Sequence, residues 1–216
     1  MNWDWTAVRD FMPLFRDGTL VTLQALALGS LISFTLGLLW ALLMRTPTRF
    51  VRWPVGVVTE FVRDTPLLVQ LFFLFYVLPE WGLTLSAMTT GVLAIGLHYS
   101  TYTMQVYRAG IEAVPAGQWE AATALNLSRG RTWRAVILPQ AVRRVVPALG
   151  NYVIAILKDT PLLMAITVLE MLGRARLFSQ QHFRFTEPLT VIGVAFVVIS
   201  ALASFLLRTL ERRLVR

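Results

Sequence analysis

The sequence predicts an all-α membrane protein with five transmembrane helices, and three observations carry that expectation. Of the 216 residues, 56% are hydrophobic and 15% are charged, whereas a soluble domain holds about 25% charged residues. The mean hydropathy is +0.62, and the apolar residues fall in blocks long enough to cross ~30 Å of hydrocarbon, which takes about 20 helical residues. Most of the arginines flank those blocks instead of interrupting them.

In chain order, residues 1–18 lack the basic and apolar regions of a cleavable signal. Trp3, Trp5, Phe11 and Phe15 are interspersed there with charges, which predicts a short helix lying in the membrane interface. Spans are expected near 20–44, 53–78, 86–107, 145–172 and 188–207, all within one transmembrane domain over 1–216. The second and fourth carry the interruptions "RDTP" and "KDTP". There is no cysteine, so disulfides and thiolate metal sites are excluded. The two histidines, His98 and His182, are far apart in sequence, and no metal or other cofactor is expected.

The net charge of +8 would suggest nucleic acid in a soluble protein. Here topology explains it. With the N-terminus outside and the C-terminus inside, thirteen of the 20 Lys and Arg residues fall in inner segments and five in outer ones. That satisfies the positive-inside bias, and the reverse orientation violates it. No nucleic-acid partner is needed.

This topology makes residues 109–144 the largest inner loop. Pro115 suits a first helical turn, where its missing N–H costs nothing. "AGQWEAATALNL" supplies helix formers, with Trp119, Ala122 and Leu125 or Asn126 on one face. Asn126 tolerates positive φ and is a candidate C-terminal cap. A second loop helix is expected to start near Ser128 and run towards Pro139. A short helix at the membrane surface has the right shape to enter a groove of another protein.

The run Glu120-Ala121-Ala122, then Asn126, then Val136-Ile137-Leu138-Pro139 resembles the EAA motif of ATP-binding cassette (ABC) importer permeases. Asn126 stands where that motif usually has Gly, and Val136 where it has Ile. The resemblance implies a type I importer fold in a bacterial inner membrane. It also implies that Glu120, Ala121, Ala122, Asn126, Leu138 and Pro139 couple the chain to separate ATPase subunits. A second permease subunit, identical or homologous, a solute-binding protein and membrane lipid complete the implied assembly. The stretches "RDTPLLVQLFFLFYVLP" and "YRAGIEAVPAGQWEAA" resemble the polar amino-acid, histidine/glutamine-type, branch. "LHYSTYTMQVYRAGI" and "LGNYVIAILKDTPLLMAITVLE" look most like permeases for ectoine or hydroxyectoine. Many of those relatives carry Glu where this chain has Gln105. The chain has no phosphate-binding loop of its own, so ATP hydrolysis is assigned to a partner. A self-contained secondary transporter or channel is the alternative, and a membrane anchor is a third; both leave the EAA-like loop unexplained.

The polar residues inside the expected spans are the candidate translocation pathway. Arg63-Asp64-Thr65-Pro66 and Lys158-Asp159-Thr160-Pro161 form a parallel repeat. Each proline removes a helical hydrogen bond, so each span is expected to break, with Asp or Thr capping the restarted helix. Charges at that depth are costly and seldom idle. They pair as Arg63–Asp159 and Lys158–Asp64, or contact a solute, or gate. The third span adds His98, Thr101, Tyr102 and Gln105 on one helical stripe, as pathway lining or as helix–helix glue.

Overall fold

The computed structural model describes residues 3–214, and every regular element among them is a helix. Helix α1 (Trp5–Met44) begins where the Asp4 carboxylate accepts the Thr6 amide at 2.8 Å, and it continues for 40 residues through Pro13. Its buried face is small: Gly18, Thr22, Ala25, Gly29, Ser33 and Gly37 recur every three or four residues. Leu20, Leu31 and Leu42 are instead 58%, 59% and 54% exposed. This is the reverse of a soluble helix. Lipid is as apolar as leucine, so helices associate through close backbone approach and polar contacts, which small residues permit.

The partner of that stripe is α4 (Ala87–Glu112), whose N-cap Ser86 accepts the Thr89 amide at 3.2 Å. Thr103 Oγ1 donates to the Ser33 carbonyl at 2.8 Å, and Trp40 Nε1 donates to Ser100 Oγ at 3.1 Å. Gly29 faces Ile95, and Gly96 on α4 answers by facing Ile32. Helix α4 also packs against α2 (Arg49–Asp64), α3 (Leu67–Phe72) and α7 (Leu138–Asp159), which makes it the centre of the bundle.

Helices α2 and α3 are two parts of one apolar run, bent by 101° at Thr65–Pro66. The run continues through a π turn (Phe73–Val77) and a 3-10 turn (Leu78–Trp81), and Gly82 ends it at φ 83°. After α4 come the short α5 (Ala116–Ala124) and α6 (Arg129–Arg131). The second loop helix expected from near Ser128 towards Pro139 does start there, with Ser128 as the N-cap of α6, but it does not end at Pro139. Helix α6 passes through a π turn (Thr132–Ile137) straight into α7 and a 3-10 segment (Thr160–Ile166), giving one helical run of 38 residues. Pro139 lacks the N–H of a normal turn, and the wider π turn before it absorbs the mismatch without breaking the rod.

Helix α8 (Met171–His182) occupies a stretch expected to be mostly outer loop, and α9 (Thr186–Leu214) closes the described chain. Two arginines keep α8 from reading as a span, yet Met171, Ala175 and Phe178 are buried at i, i+4, i+7. They receive the buried Phe11, whose ring lies 5.4 Å from that of Phe178. The residues expected to form a separate interfacial helix are therefore the first turns of α1, docked on α8 and α9. Arg184 fixes that end by pairing with Asp4 at 3.2 Å and Glu187 at 2.9 Å.

By length and hydropathy, three helical runs are able to cross a membrane: Trp5–Met44, Arg129–Ile166 and Thr186–Arg213. The bent pair Arg49–Asp64 with Leu67–Trp81 makes a fourth if it is counted as one span. Helix α4 falls outside that set because His98, Ser100, Thr101, Thr103 and Gln105 lower its hydropathy. Its neighbours bury most of those groups.

The tight seam between α1 and α4 is testable. A Cβ on Gly37 would overlap Thr103 Oγ1 and come within 2.9 Å of the Ser100 carbonyl oxygen. Gly37→Ala should therefore lower stability in detergent by ~1–3 kcal/mol through overpacking. Gly193→Ala, with no atom within 4 Å of the new carbon, should not. Equal melting midpoints for the two variants would remove the close-approach argument.

Candidate translocation pathway and coupling site

The loop expected to couple folds into a rigid tip. Pro115 stands at the N-cap of α5, one position earlier than the first turn. At the other end Asn126 adopts φ 49°, the left-handed conformation expected of it. Its amide donates to the Thr123 carbonyl at 2.9 Å, and the Leu127 amide donates to the Ala122 carbonyl at 3.0 Å. That pair is a Schellman closure, which satisfies the last carbonyls and fixes the chain's exit. Ala122 is 2% exposed, whereas Glu120, Ala121 and Asn126 face outward with Leu125, which is 73% exposed. Behind the helix, Trp119 meets Trp133 edge-on at 5.4 Å over a small core that includes Ile111, Val114, Ile137 and Ala141. Gln140 donates to Gln118 at 3.2 Å, stitching α5 to α7. Arg45 at the end of α1 lies 5.3 Å over the Trp133 ring. Leu138 and Pro139 are exposed on the neighbouring rod.

The first break is an elbow at which side-chain donors reach the Phe61, Val62 and Thr65 carbonyls. Pro66 has no amide to offer the Val62 carbonyl. The Gln70 side chain supplies the missing donor, its Nε2 lying 2.6 Å from the Val62 oxygen and 2.9 Å from the Thr65 oxygen. Thr65 Oγ1 covers the Phe61 carbonyl at 2.7 Å. Thr65 and Asp64 thus do not cap the restarted helix, as the sequence suggested: α3 has Pro66 at its N-cap and no side-chain cap bond. The hydroxyl serves the helix that ends, as a second donor to the Phe61 carbonyl that also accepts the Thr65 amide at 3.2 Å. Gln70 Nε2 also lies 3.1 Å from His98 Nδ1, which ties the elbow to α4. Two carbonyl acceptors fix the amide's orientation and leave Gln70 Oε1 buried without a partner. Sequence reading missed Gln70, although a polar amide four residues after a mid-span proline was the available signal.

At the second copy of the pattern the expected break is absent, the helical run continues through Pro161, and the partners differ. The 3-10 segment follows Asp159 directly, and Thr160 Oγ1 donates back to Leu157 at 2.7 Å. Asp159 Oδ2 accepts the Tyr99 hydroxyl at 2.7 Å. Arg63 pairs with its neighbour Asp64 at 3.6 Å, and Lys158 is exposed. The cross-span pairs Arg63–Asp159 and Lys158–Asp64 are therefore absent among the described residues. Adjacent residues on a continuous helix do not face each other, but α2 ends at Asp64, so its side chain is free to swing back towards Arg63.

Asp159 sits beside an aromatic wall. Tyr99 and Tyr102 from α4 and Tyr152 from α7 have ring centroids 6.0–6.2 Å apart, and His98 lies 5.3 Å from Tyr102. Of the expected stripe, His98 and Tyr102 join this wall, and Gln105 is exposed further along α4. Thr101 does not line it. It is buried, and its hydroxyl donates to the His98 carbonyl at 2.8 Å. Tyr99 and Tyr152 were not anticipated, because single tyrosines on two spans have no sequence period that unites them.

Gln70 gives the sharpest test of the elbow. Gln70→Ala leaves two carbonyls unsatisfied, at a cost of ~1–3 kcal/mol each. Gln70→Glu keeps the size but replaces the donor with an acceptor, so it should destabilise at least as much. A Gln70→Glu chain that melts in detergent like the parent would show that the amide does not hold the break.

A model of the family described as the binding-protein-dependent transport system inner membrane component matches residues 33–216. A probable amino-acid ABC transporter permease of Sinorhizobium fredii is 47% identical over 93% of this chain and 87% of its own. The glutamine transport system permease of Escherichia coli is 35% identical over 99% of both chains. Among solved structures, a crystal structure of an amino acid ABC transporter with histidines superposes with a TM-score of 0.94 at 33% identity, covering 99% of this chain and all of that one. The MetNI methionine ABC transporter in an inward-facing conformation shares the fold alone, with a TM-score of 0.81 at 17% identity over 96% of this chain and 99% of that one. The chain belongs to the inner-membrane permease family of binding-protein-dependent transport systems.

Proposed function

We propose that this chain is one half of an ABC importer permease for a small zwitterionic solute, docked through α5 on a separate ATPase. The observation that carries this reading is the pairing of an exposed, rigidly closed helix tip with a continuous rod behind it. Glu120, Ala121 and Leu125 offer a carboxylate and an apolar knob to a groove. Asn126, Leu138 and Pro139 border them. The rod running from Arg129 to Ile166 reaches Asp159 without a flexible joint. A displacement of α5 is thereby passed through Gln140 and the Trp119–Trp133 contact to the carboxylate beside Tyr99.

In this reading the chain crosses the membrane five times, with α4 as the central span and its N-terminus outside. A second permease subunit faces the exposed side of α3 and the Phe61 end of α2, and a solute-binding protein delivers the solute from outside. Arg63, Asp64, Thr65, Lys158, Asp159 and Thr160 mark the two copies of the repeat along the pathway. His98, Tyr102 and Gln105 line it with Tyr99 and Tyr152. Thr101 supports the wall from within its own helix.

The aromatic wall and its single carboxylate suit a compact, weakly hydrated cation held by ring faces. The Arg63 guanidinium at the elbow suits the solute's carboxylate. Ectoine, hydroxyectoine and neutral polar amino acids share that pattern. Gln105 donates and accepts but carries no charge to neutralise a second cation, which disfavours arginine. Uptake of labelled ectoine, glutamine and arginine by the complex reconstituted with its own binding protein tests this. Preference for arginine would remove the reading of Gln105.

Docking has its own test. Glu120→Lys should insert normally but retain less ATPase on copurification, because the charge reverses at the contact. Asn126→Gly, at a left-handed position glycine accepts freely, should retain it fully. Full retention and normal uptake with Glu120→Lys would take Glu120 out of the coupling surface.

A further inference from the structure

A cavity of about 510 Å³, with both charged and apolar walls, lies away from the pathway between the end of α1, the start of α2 and the end of α4. Arg49, Arg52 and Arg108 line it together with Trp53, Met44 and Glu60. The ion pairs among the described residues include neither Arg49 nor Arg52, and Arg108 reaches only Glu112 at 3.7 Å. Arg49 is the first residue of α2, and Thr48 makes no side-chain cap there, so the positive end of the helix dipole adds to the guanidinium field. Glu60 lies two turns further along α2 from Arg52. It leaves the end nearest Arg49 and Arg52 positively charged.

We propose that this cavity binds the phosphodiester headgroup of an anionic phospholipid. Three arginines lining one cavity supply the planar, bidentate donors that phosphate oxygens take. The surroundings select a lipid over free phosphate. Phe50 is 91% exposed, Trp53 66% and Val57 49%, all on the same helix as Arg49 and Arg52. Indole rings of this kind sit at headgroup level, and apolar side chains beside them meet acyl chains. Basic pockets between transmembrane helices are suited to such headgroups. The proposal rests on the reading of the chain as a membrane permease, but not on which face is cytoplasmic.

The full chain in neutral detergent is titrated with phosphatidylglycerol, phosphatidylcholine or inorganic phosphate, with melting midpoint and lipid retention in native mass spectra as readouts. A micelle has no sides, so an error in the topology leaves this result untouched. Phosphatidylglycerol should raise the midpoint and remain bound, and phosphatidylcholine should do neither. Arg52→Gln and Arg108→Gln should each weaken the phosphatidylglycerol effect by about tenfold or more, with lipid-free midpoints near the parent's. Arg143→Gln, a basic residue outside the cavity, should leave the effect unchanged. The proposal is overturned by an equal rise with inorganic phosphate, by an equal loss with Arg143→Gln, or by no phosphatidylglycerol dependence. Abolition of the lipid effect on adding the cognate ATPase would assign the cavity to a protein contact and overturn it as well.

Discussion

A helix broken inside a membrane has no water to receive its orphaned carbonyls, and the architecture of this chain follows from how it answers that constraint. At Pro66 the Gln70 amide takes the Val62 and Thr65 oxygens together. One side chain thereby satisfies two carbonyls at the 101° elbow. Because the same amide touches His98, the elbow is held against α4, and α4 is in turn held against α1 by the glycine seam. Removing the donor would free two carbonyls and loosen the contact between the outer and central helices.

The two copies of the repeat begin from the same residue pattern and reach different ends. In the first, the helix stops, Asp64 turns back to Arg63, and the chain bends sharply. In the second, Asp159 is fixed by the Tyr99 hydroxyl and the backbone tightens into a 3-10 segment. That segment ends at Thr167, whose φ of 69° turns the chain towards Glu170. The buried Glu170 carboxylate then caps α8, accepting the Leu172 and Gly173 amides at 2.9 and 2.7 Å. The parallel repeat is one of sequence, and the neighbours of each copy set what it does. One copy bends the chain, and the other anchors a carboxylate next to aromatic rings.

The end of the molecule that carries α5 is organised by stiffness. The Schellman closure at Asn126 and the π turn before Pro139 remove the two places where a loop would flex. The outward tip is therefore mechanically continuous with Asp159, which is what a docking surface needs if it is to act on a distant site. The arginines at this end divide by environment: Arg45 lies over Trp133, Arg144 donates to the Ala113 carbonyl, and Arg49 and Arg52 look into the basic cavity.

Sequence alone determined the membrane class, the start of α4, the left-handed cap at Asn126 and the break at Pro66, whereas at Pro161 the expected break is only a tightening into a 3-10 segment of a continuous run. Each of these depends on hydropathy, a missing amide or a local φ preference, all of which are local properties. Tertiary structure decided which faces meet and which polar groups pair. The small-residue stripe of α1 is written in the sequence, but only α4 gives it meaning, because lipid and protein are equally apolar and hydropathy does not separate them. Helix α8 was hidden for the opposite reason: its arginines mask a buried face that Phe11 reveals. The charges of the repeat found partners set by where each helix ends, Asp64 beside Arg63 and Asp159 beside Tyr99. Spacing along the chain says nothing of what lies across a bundle, and it is Tyr99, from another helix, that sets the environment of Asp159.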